Sequence, residues 1–214
     1  MTSLLPQDRL RRLAEPAALV LARTGLTPNM VTVLGVLGNA GAAALLARGE
    51  FLPGGALLLA ASALDALDGA LARATGRATP FGAVFDAVMD RLSEMAVLLG
   101  LLVYYSGRGQ REEVILCFVA LAGSLLVSYV RARAEAHGLP LSEGLFTRSE
   151  RVIVLGIGLI IDQGRIALWL LAVLSHATAA QRLYLAWRKA SRVTTPAAQP
   201  AGRTTGEEKR GERR

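Results

Sequence analysis

Apolar residues dominate this chain in six long runs, and polar residues gather in the short segments between them. The runs cover 29–47, 53–73, 81–105, 113–134, 149–161 and 165–187. Each approaches the ~20 residues a helix needs to cross a bilayer, with 149–161 the shortest. Ahead of them, residues 7–22 are basic and amphipathic, with Leu10, Leu13, Ala17 and Leu21 on one side. A helix of that kind lies on a membrane surface rather than through it. Thr27-Pro28 supplies an N-cap and a first-turn proline, a good start for the first spanning helix. The pattern predicts an all-α protein, a bundle of six transmembrane helices with an N-terminal amphipathic surface helix. Three parts follow: a juxtamembrane helix and linker over 1–28, a six-helix domain over 29–190, and a disordered basic tail over 191–214.

Composition agrees with lipid as the solvent. Residues of hydrophobic type make up 52% of the chain and mean hydropathy is +0.40, high for a soluble domain. Aromatics are few, while Ala, Leu and Gly abound, and small residues let helices pack closely in a bilayer. The net charge of +7 is unevenly spread. Arg48, Arg108, Arg111 and Arg165 would lie on one side of the membrane. Those near the N-terminus and around 73–77, 131–133, 148–151 and 188–189 would lie on the other. The positive-inside rule then sets both termini on the cytoplasmic face of a multi-pass protein of the cell membrane. A basic chain can serve nucleic acid, but no soluble nucleic-acid module is visible; anionic lipid headgroups or phosphate-bearing substrates fit better. The single Cys117 excludes an intrachain disulfide, and the arginines before residue 13 precede no signal-peptide core.

Four acids break the apolar pattern: Asp65, Asp68, Asp86 and Asp90. Carboxylates at bilayer depth are costly and mark functional sites. Asp65 and Asp68 share one helix face, Asp86 and Asp90 another, and the turn at 77–80 folds the second helix back so that both faces can converge. Oxygen-only donors favour a hard cation, Mg²⁺ or Mn²⁺, which also binds substrate phosphates. Gly69, Ala72 and Gly82 lie within a turn of the acids and leave room for a bulky ligand. Polar glue at helix ends would explain any one acid, but not four in this order.

The string D-x2-D-G-x2-A-R-x8-G-x3-D-x3-D, from Asp65 to Asp90, resembles the signature of the CDP-alcohol phosphotransferase family without departure. The likeness covers roughly residues 7–190. It implies that Asp65, Asp68 and Asp86 hold divalent metal with help from Asp90, and that Asp90 is the base for the acceptor hydroxyl. It also implies that Asn29, Gly69, Arg73 and Gly82 contact the CDP-lipid, and that the protein is a homodimer. In such chemistry an alcohol attacks the β-phosphorus of a CDP-linked lipid and CMP leaves, with metal and Arg73 offsetting phosphate charge.

A second polar cluster, Ser128-Tyr129-Val130-Arg131-Ala132-Arg133, is followed by Arg148-Ser149-Glu150-Arg151. Arg133 and Arg148 are as readily explained by anchoring at helix ends. Ser128 and Arg131 share a face, and arginine grips phosphate with several donors, so the acceptor is expected to be a phosphorylated alcohol. The stretch resembles the branch of the family that makes phosphatidylinositol phosphate in prokaryotes, and the related archaeal ether-lipid enzymes. In that branch the position three after the Ser is often Lys; here it is Arg131. The resemblance implies that Ser128, Arg131, Arg151 and Arg182 bind inositol phosphate, with CDP-diacylglycerol as donor. Phosphatidylglycerophosphate synthase, using glycerol 3-phosphate, is the alternative within the family. A metal-ion or proton transporter is the alternative outside it, but the first, fourth and fifth runs carry no membrane-deep acid to extend a pathway. His137 belongs to a loop, and His176 to packing or a solvent-facing position in the last run.

Overall fold

The computed structural model describes Ala22 and residues 25–141 and 143–193; the surface segment 7–22 and the tail beyond 193 fall almost wholly outside the described residues. From residue 25 on, six helices follow one another among the described residues: α1 (Pro28–Ala47), α2 (Phe51–Ala74), α3 (Pro80–Gly107), α4 (Arg111–Ala136), α5 (Arg148–Ile160) and α6 (Gly164–Val193). Among the described residues there is no strand. Each apolar run is a helix, with ends displaced by a few residues. The largest displacement is at α6, which continues past residue 190 and takes the first residues assigned above to the tail.

Local chemistry sets the boundaries. The Thr27 hydroxyl accepts the Met30 N–H at 3.3 Å, and the Thr79 hydroxyl accepts the Gly82 N–H at 3.0 Å, each just before a first-turn proline. At the other ends, Gly49 and Gly76 adopt φ of 85° and 65°, a left-handed conformation that closes α1 and α2. After Gly76 the Arg77 N–H returns to the Ala72 carbonyl at 2.9 Å, turning the chain sharply toward α3.

Among the described residues four helical segments are long and apolar enough to cross a membrane: Pro28–Ala47, Phe51–Ala74, Arg111–Ala136 and Gly164–Ser191. In α3 the apolar run is interrupted by Asp86, Asp90, Arg91 and Glu94. The 13 residues of α5 rise only about 20 Å, short of a bilayer core of about 30 Å.

The helices do not stack in simple sequence. α1 packs against both α2 and α3, α4 against α6 and α3, and α5 against α2 and α6. The two acid-bearing helices, α2 and α3, therefore meet through α1 rather than along each other. Glycine makes that possible: a methyl at Gly100 would stand 2.3 Å from the Ala43 carbonyl oxygen, so α1 and α3 approach backbone to backbone. The core is built around Leu46, Leu98, Leu101, Leu159 and Leu168. A smaller cluster of Val31, Ala70 and Leu71 braces α1 against the site end of α2. Outward faces remain apolar, with Phe81, Val84, Val88, Leu92, Leu99 and Val103 exposed along α3. So much uncovered apolar surface suits lipid contact.

Candidate active site

The aspartates divide into two pairs. Asp68 and Asp86 line a cleft of about 250 Å³ between the start of α1, the end of α2, the 75–79 turn and the start of α3. Asn29, Gly69, Arg73 and Gly82 line the same cleft, with Thr32, Ala72 and Arg77. All four residues expected to touch the CDP-lipid are thus on one cavity with two of the acids. The glycines shape it: at Gly82 a Cβ would stand 3.0 Å from the Thr79 hydroxyl, on the side facing Asn29. Arg73 is exposed and has no hydrogen-bond or ion-pair partner among the described residues, leaving its guanidinium available. Asp86, half-buried, is likewise unpartnered among them. Asp68 is buried and its Oδ2 accepts the Thr32 hydroxyl at 2.5 Å.

Asp65 and Asp90 do not line this cleft and share one cation. Arg148, at the first position of α5, donates from Nη2 to Asp65 Oδ2 at 3.0 Å and pairs through Nη1 with Asp90 Oδ1 at 2.7 Å. Asp65 is buried against Gly35 of α1, where any Cβ would overlap its carboxylate. Its Oδ1 is buried with no hydrogen bond. Among the described residues no three acid, His or Cys side chains are grouped as metal ligands, yet Asp86 lies within electrostatic reach of Asp65, Asp68 and Asp90, and Arg148 and Thr32 occupy an oxygen on three of the four acids. The donor set still suits a hard divalent ion. It is all oxygen, Asp65 Oδ1 and Asp86 are unengaged, and Arg148 sits on Asp65 and Asp90 as a cation would.

The second cluster is held by protein partners. Arg151, almost fully buried, makes a two-pronged ion pair with Glu94, at 2.8 Å from Nε and 3.1 Å from Nη2, and its Nη1 donates to the Phe146 carbonyl at 3.4 Å. The Ser124 hydroxyl donates to the same Glu94 at 2.6 Å. Arg182, also buried, donates to the carbonyls of Glu143 at 3.0 Å and Val127 at 2.9 Å. Arg131 is exposed and pairs with Glu135 at 2.8 Å; Ser128 is half-buried. Arg131 and Arg151 lie within electrostatic reach of Arg182. His137 caps the end of α4, and His176 shares its Nδ1 with the Ala172 carbonyl at 2.9 Å, a packing position.

One participant escaped the sequence pattern. Glu94 follows Asp90 by four residues, so D-x3-D-x3-E continues the acid face one turn further and was there to be read. Arg148 stood in the second cluster, where helix-end anchoring explained it as readily, and nothing in the sequence tied it to the aspartates.

Similarity to known proteins extends over most of the chain. A phosphatidylinositol phosphate synthase of Mycobacteroides abscessus is 38% identical over 193 residues, 86% of this chain and 88% of the relative. An archaetidylinositol phosphate synthase of Pyrococcus horikoshii is 40% identical over 175 residues, 79% and 88% of the two chains. The crystal structure of the Mycobacterium tuberculosis phosphatidylinositol phosphate synthase with CDP-DAG bound superposes with a TM-score of 0.74 at 38% identity, over 82% of this chain and 94% of that one. The same enzyme in complex with manganese and citrate gives 0.74 as well, over 81% and 88%. The family model for CDP-alcohol phosphatidyltransferase matches residues 25–187, which takes in the whole cleft and both arginine sets. With several membrane-length apolar helices and this match across three quarters of its length, the chain is a multi-pass membrane protein that belongs to the CDP-alcohol phosphatidyltransferase family.

Proposed function

We propose that this protein transfers a phosphatidyl group from CDP-diacylglycerol to inositol phosphate, releasing CMP and leaving phosphatidylinositol phosphate. The observation that carries the reading is the cleft in which Asn29, Gly69, Arg73 and Gly82 stand beside Asp68 and Asp86. An uncommitted guanidinium, two glycines and two acids in one cavity suit a nucleotide diphosphate whose charge must be met from both sides. The relatives named above make the same product or its archaeal ether counterpart.

In this reading Asp65, Asp68, Asp86 and Asp90 hold the divalent metal, Mg²⁺ or Mn²⁺. When bound, the metal offsets phosphate charge and stabilises the departing CMP. The protein does the rest. Arg73 holds the pyrophosphate, and Gly69 and Gly82 let the nucleotide approach the helix backbones. Asp90 takes the proton of the acceptor hydroxyl as its oxygen bonds to the β-phosphorus and the bond to CMP breaks. The acceptor phosphate is met by Ser128, Arg131, Arg151 and Arg182. A guanidinium has five N–H donors, so Arg151, with three engaged, and Arg182, with two, retain donors for an anion.

Six membrane-crossing helices, an amphipathic surface helix over 7–22, a cytoplasmic-facing site and a homodimer complete the proposal. Cysteines introduced at Gly76 and Gly107 should label from opposite sides of the membrane, with Gly76 cytoplasmic; labelling from one side breaks the topology. The function itself is tested with purified protein, Mg²⁺ and CDP-diacylglycerol, following CMP release with inositol 1-phosphate, glycerol 3-phosphate, serine or inositol in separate reactions. Inositol 1-phosphate should be the best acceptor. A preference for glycerol 3-phosphate would transfer the protein to phosphatidylglycerophosphate synthesis, and a preference for an unphosphorylated alcohol would remove the anion pocket.

A further inference from the structure

Arg148 stands apart from the other buried arginines by what holds it. Arg151 is tied to Glu94 and a carbonyl, and Arg182 to two carbonyls, none of them part of the aspartate quartet. The two ion pairs of Arg148 are both to quartet members, Asp65 and Asp90, reached from a third helix. Its Nε is buried without a hydrogen bond among the described residues, so those two carboxylates alone fix the guanidinium. Behind it lies a cavity of about 20 Å³ bounded by Asn39, Ser93 and Arg151, room for a single water at most. About a quarter of the side chain (27%) is exposed, and the small cavity leaves a displaced guanidinium little room to retreat into.

We propose that Arg148 is an exchangeable counter-cation: it neutralises Asp65 and Asp90 in the metal-free protein, yields them to the divalent metal, and on release offers its guanidinium to the acceptor phosphate. The inference rests on the reading of the quartet as metal ligands. Carboxylates removed from water call for a compensating cation, and a guanidinium seated on Asp65 Oδ2 and Asp90 Oδ1 competes in charge and position with a metal for the same two side chains. Once displaced, Arg148 is a charge without a partner, and a phosphate is the anion its forked donors fit best. Metal and acceptor should then strengthen each other's binding by an equal factor, as linkage requires.

The test uses the full chain in detergent, with Mn²⁺ binding followed by electron paramagnetic resonance and inositol 1-phosphate binding by calorimetry, both without CDP-diacylglycerol. Arg148→Gln should bind Mn²⁺ about tenfold more tightly than the parent protein, because the competing charge-assisted bonds are gone. In the parent protein Mn²⁺ should raise affinity for inositol 1-phosphate about fivefold or more; in Arg148→Gln that gain should vanish. Arg148→Lys, which keeps one charge but cannot span both carboxylates, should give an intermediate Mn²⁺ affinity. It decides the matter if the Gln variant fails to elute as a single folded species. Mn²⁺ affinity that is unchanged or weaker in the folded variants overturns the exchange. Asp68→Asn in parallel separates the two levels: it should lose Mn²⁺. If it binds Mn²⁺ as the parent does, the quartet reading itself fails and the exchange falls with it.

Discussion

The two ends of the candidate site are built on opposite principles. On the side proposed for the nucleotide the protein leaves things out: glycines at 69 and 82, an arginine at 73 with no partner among the described residues, an aspartate at 86 equally free. On the side proposed for the acceptor it fills things in. Arg151 is gripped by Glu94, Arg182 by two carbonyls, and Glu94 in turn by Ser124. An open, unpaired site gives a long flexible nucleotide charge to find on arrival. A site whose cations are already paired holds its shape when empty, which suits a small polyol phosphate recognised by outline. Removing a residue should therefore cost binding on the first side and stability on the second.

The largest effect expected is at the proposed metal ligands. Asp68→Asn or Asp86→Asn should lower CMP release by about a thousandfold or more, the result of losing several kcal/mol of charge stabilisation, while the protein stays folded. Next comes Arg151→Ala, which strands the buried Glu94. It should destabilise the protein by about 3–5 kcal/mol, seen as a lowered melting temperature in detergent, and raise the acceptor KM. Replacing both Arg151 and Glu94 with Met should restore much of the stability but not the acceptor KM. Unchanged melting in Arg151→Ala would erase the contrast between the two sides. Arg73→Ala, by contrast, should leave melting within about 0.5 kcal/mol and raise the KM for CDP-diacylglycerol by about ten- to over a hundredfold, the equivalent of roughly 1.5–3 kcal/mol. Smallest in stability is Arg131→Ala. Its exposed pair with Glu135 contributes at most about 0.5 kcal/mol, so a rise in acceptor KM without a melting shift would assign Arg131 to the ligand.

The nucleotide side was legible in the sequence because its residues are local. Asp68, Gly69, Arg73, Gly82 and Asp86 span less than twenty positions, and one turn, closed by Gly76 and reopened by Thr79-Pro80, brings them together. The six helices were legible for the same reason, since apolar runs and caps are neighbouring-residue effects. The acceptor side depends on pairs distant in sequence, Glu94 with Arg151 and Arg148 with Asp65, 57 and 83 positions apart. Spacing cannot reveal which of several arginines meets which acid. The insertion of α1 between α2 and α3 was equally hidden, because Gly35 and Gly100 read as ordinary small residues until the opposing chain is seen.

The start of α5 has a consequence for how this protein can vary. The Glu150 carboxylate accepts the Thr147 N–H at 2.5 Å, one arm of a capping box that fixes where the helix begins. Arg148 and Arg151 are the first and fourth residues after that cap, so a single local lock sets the angular phase of both. Each residue of slippage would rotate them by about 100° about the helix axis, swinging Arg148 off Asp65 and Arg151 off Glu94 together. The four positions from Thr147 to Glu150 therefore act as a keyway: one deleted residue there would uncouple α5 from two helices and break three ion pairs at once.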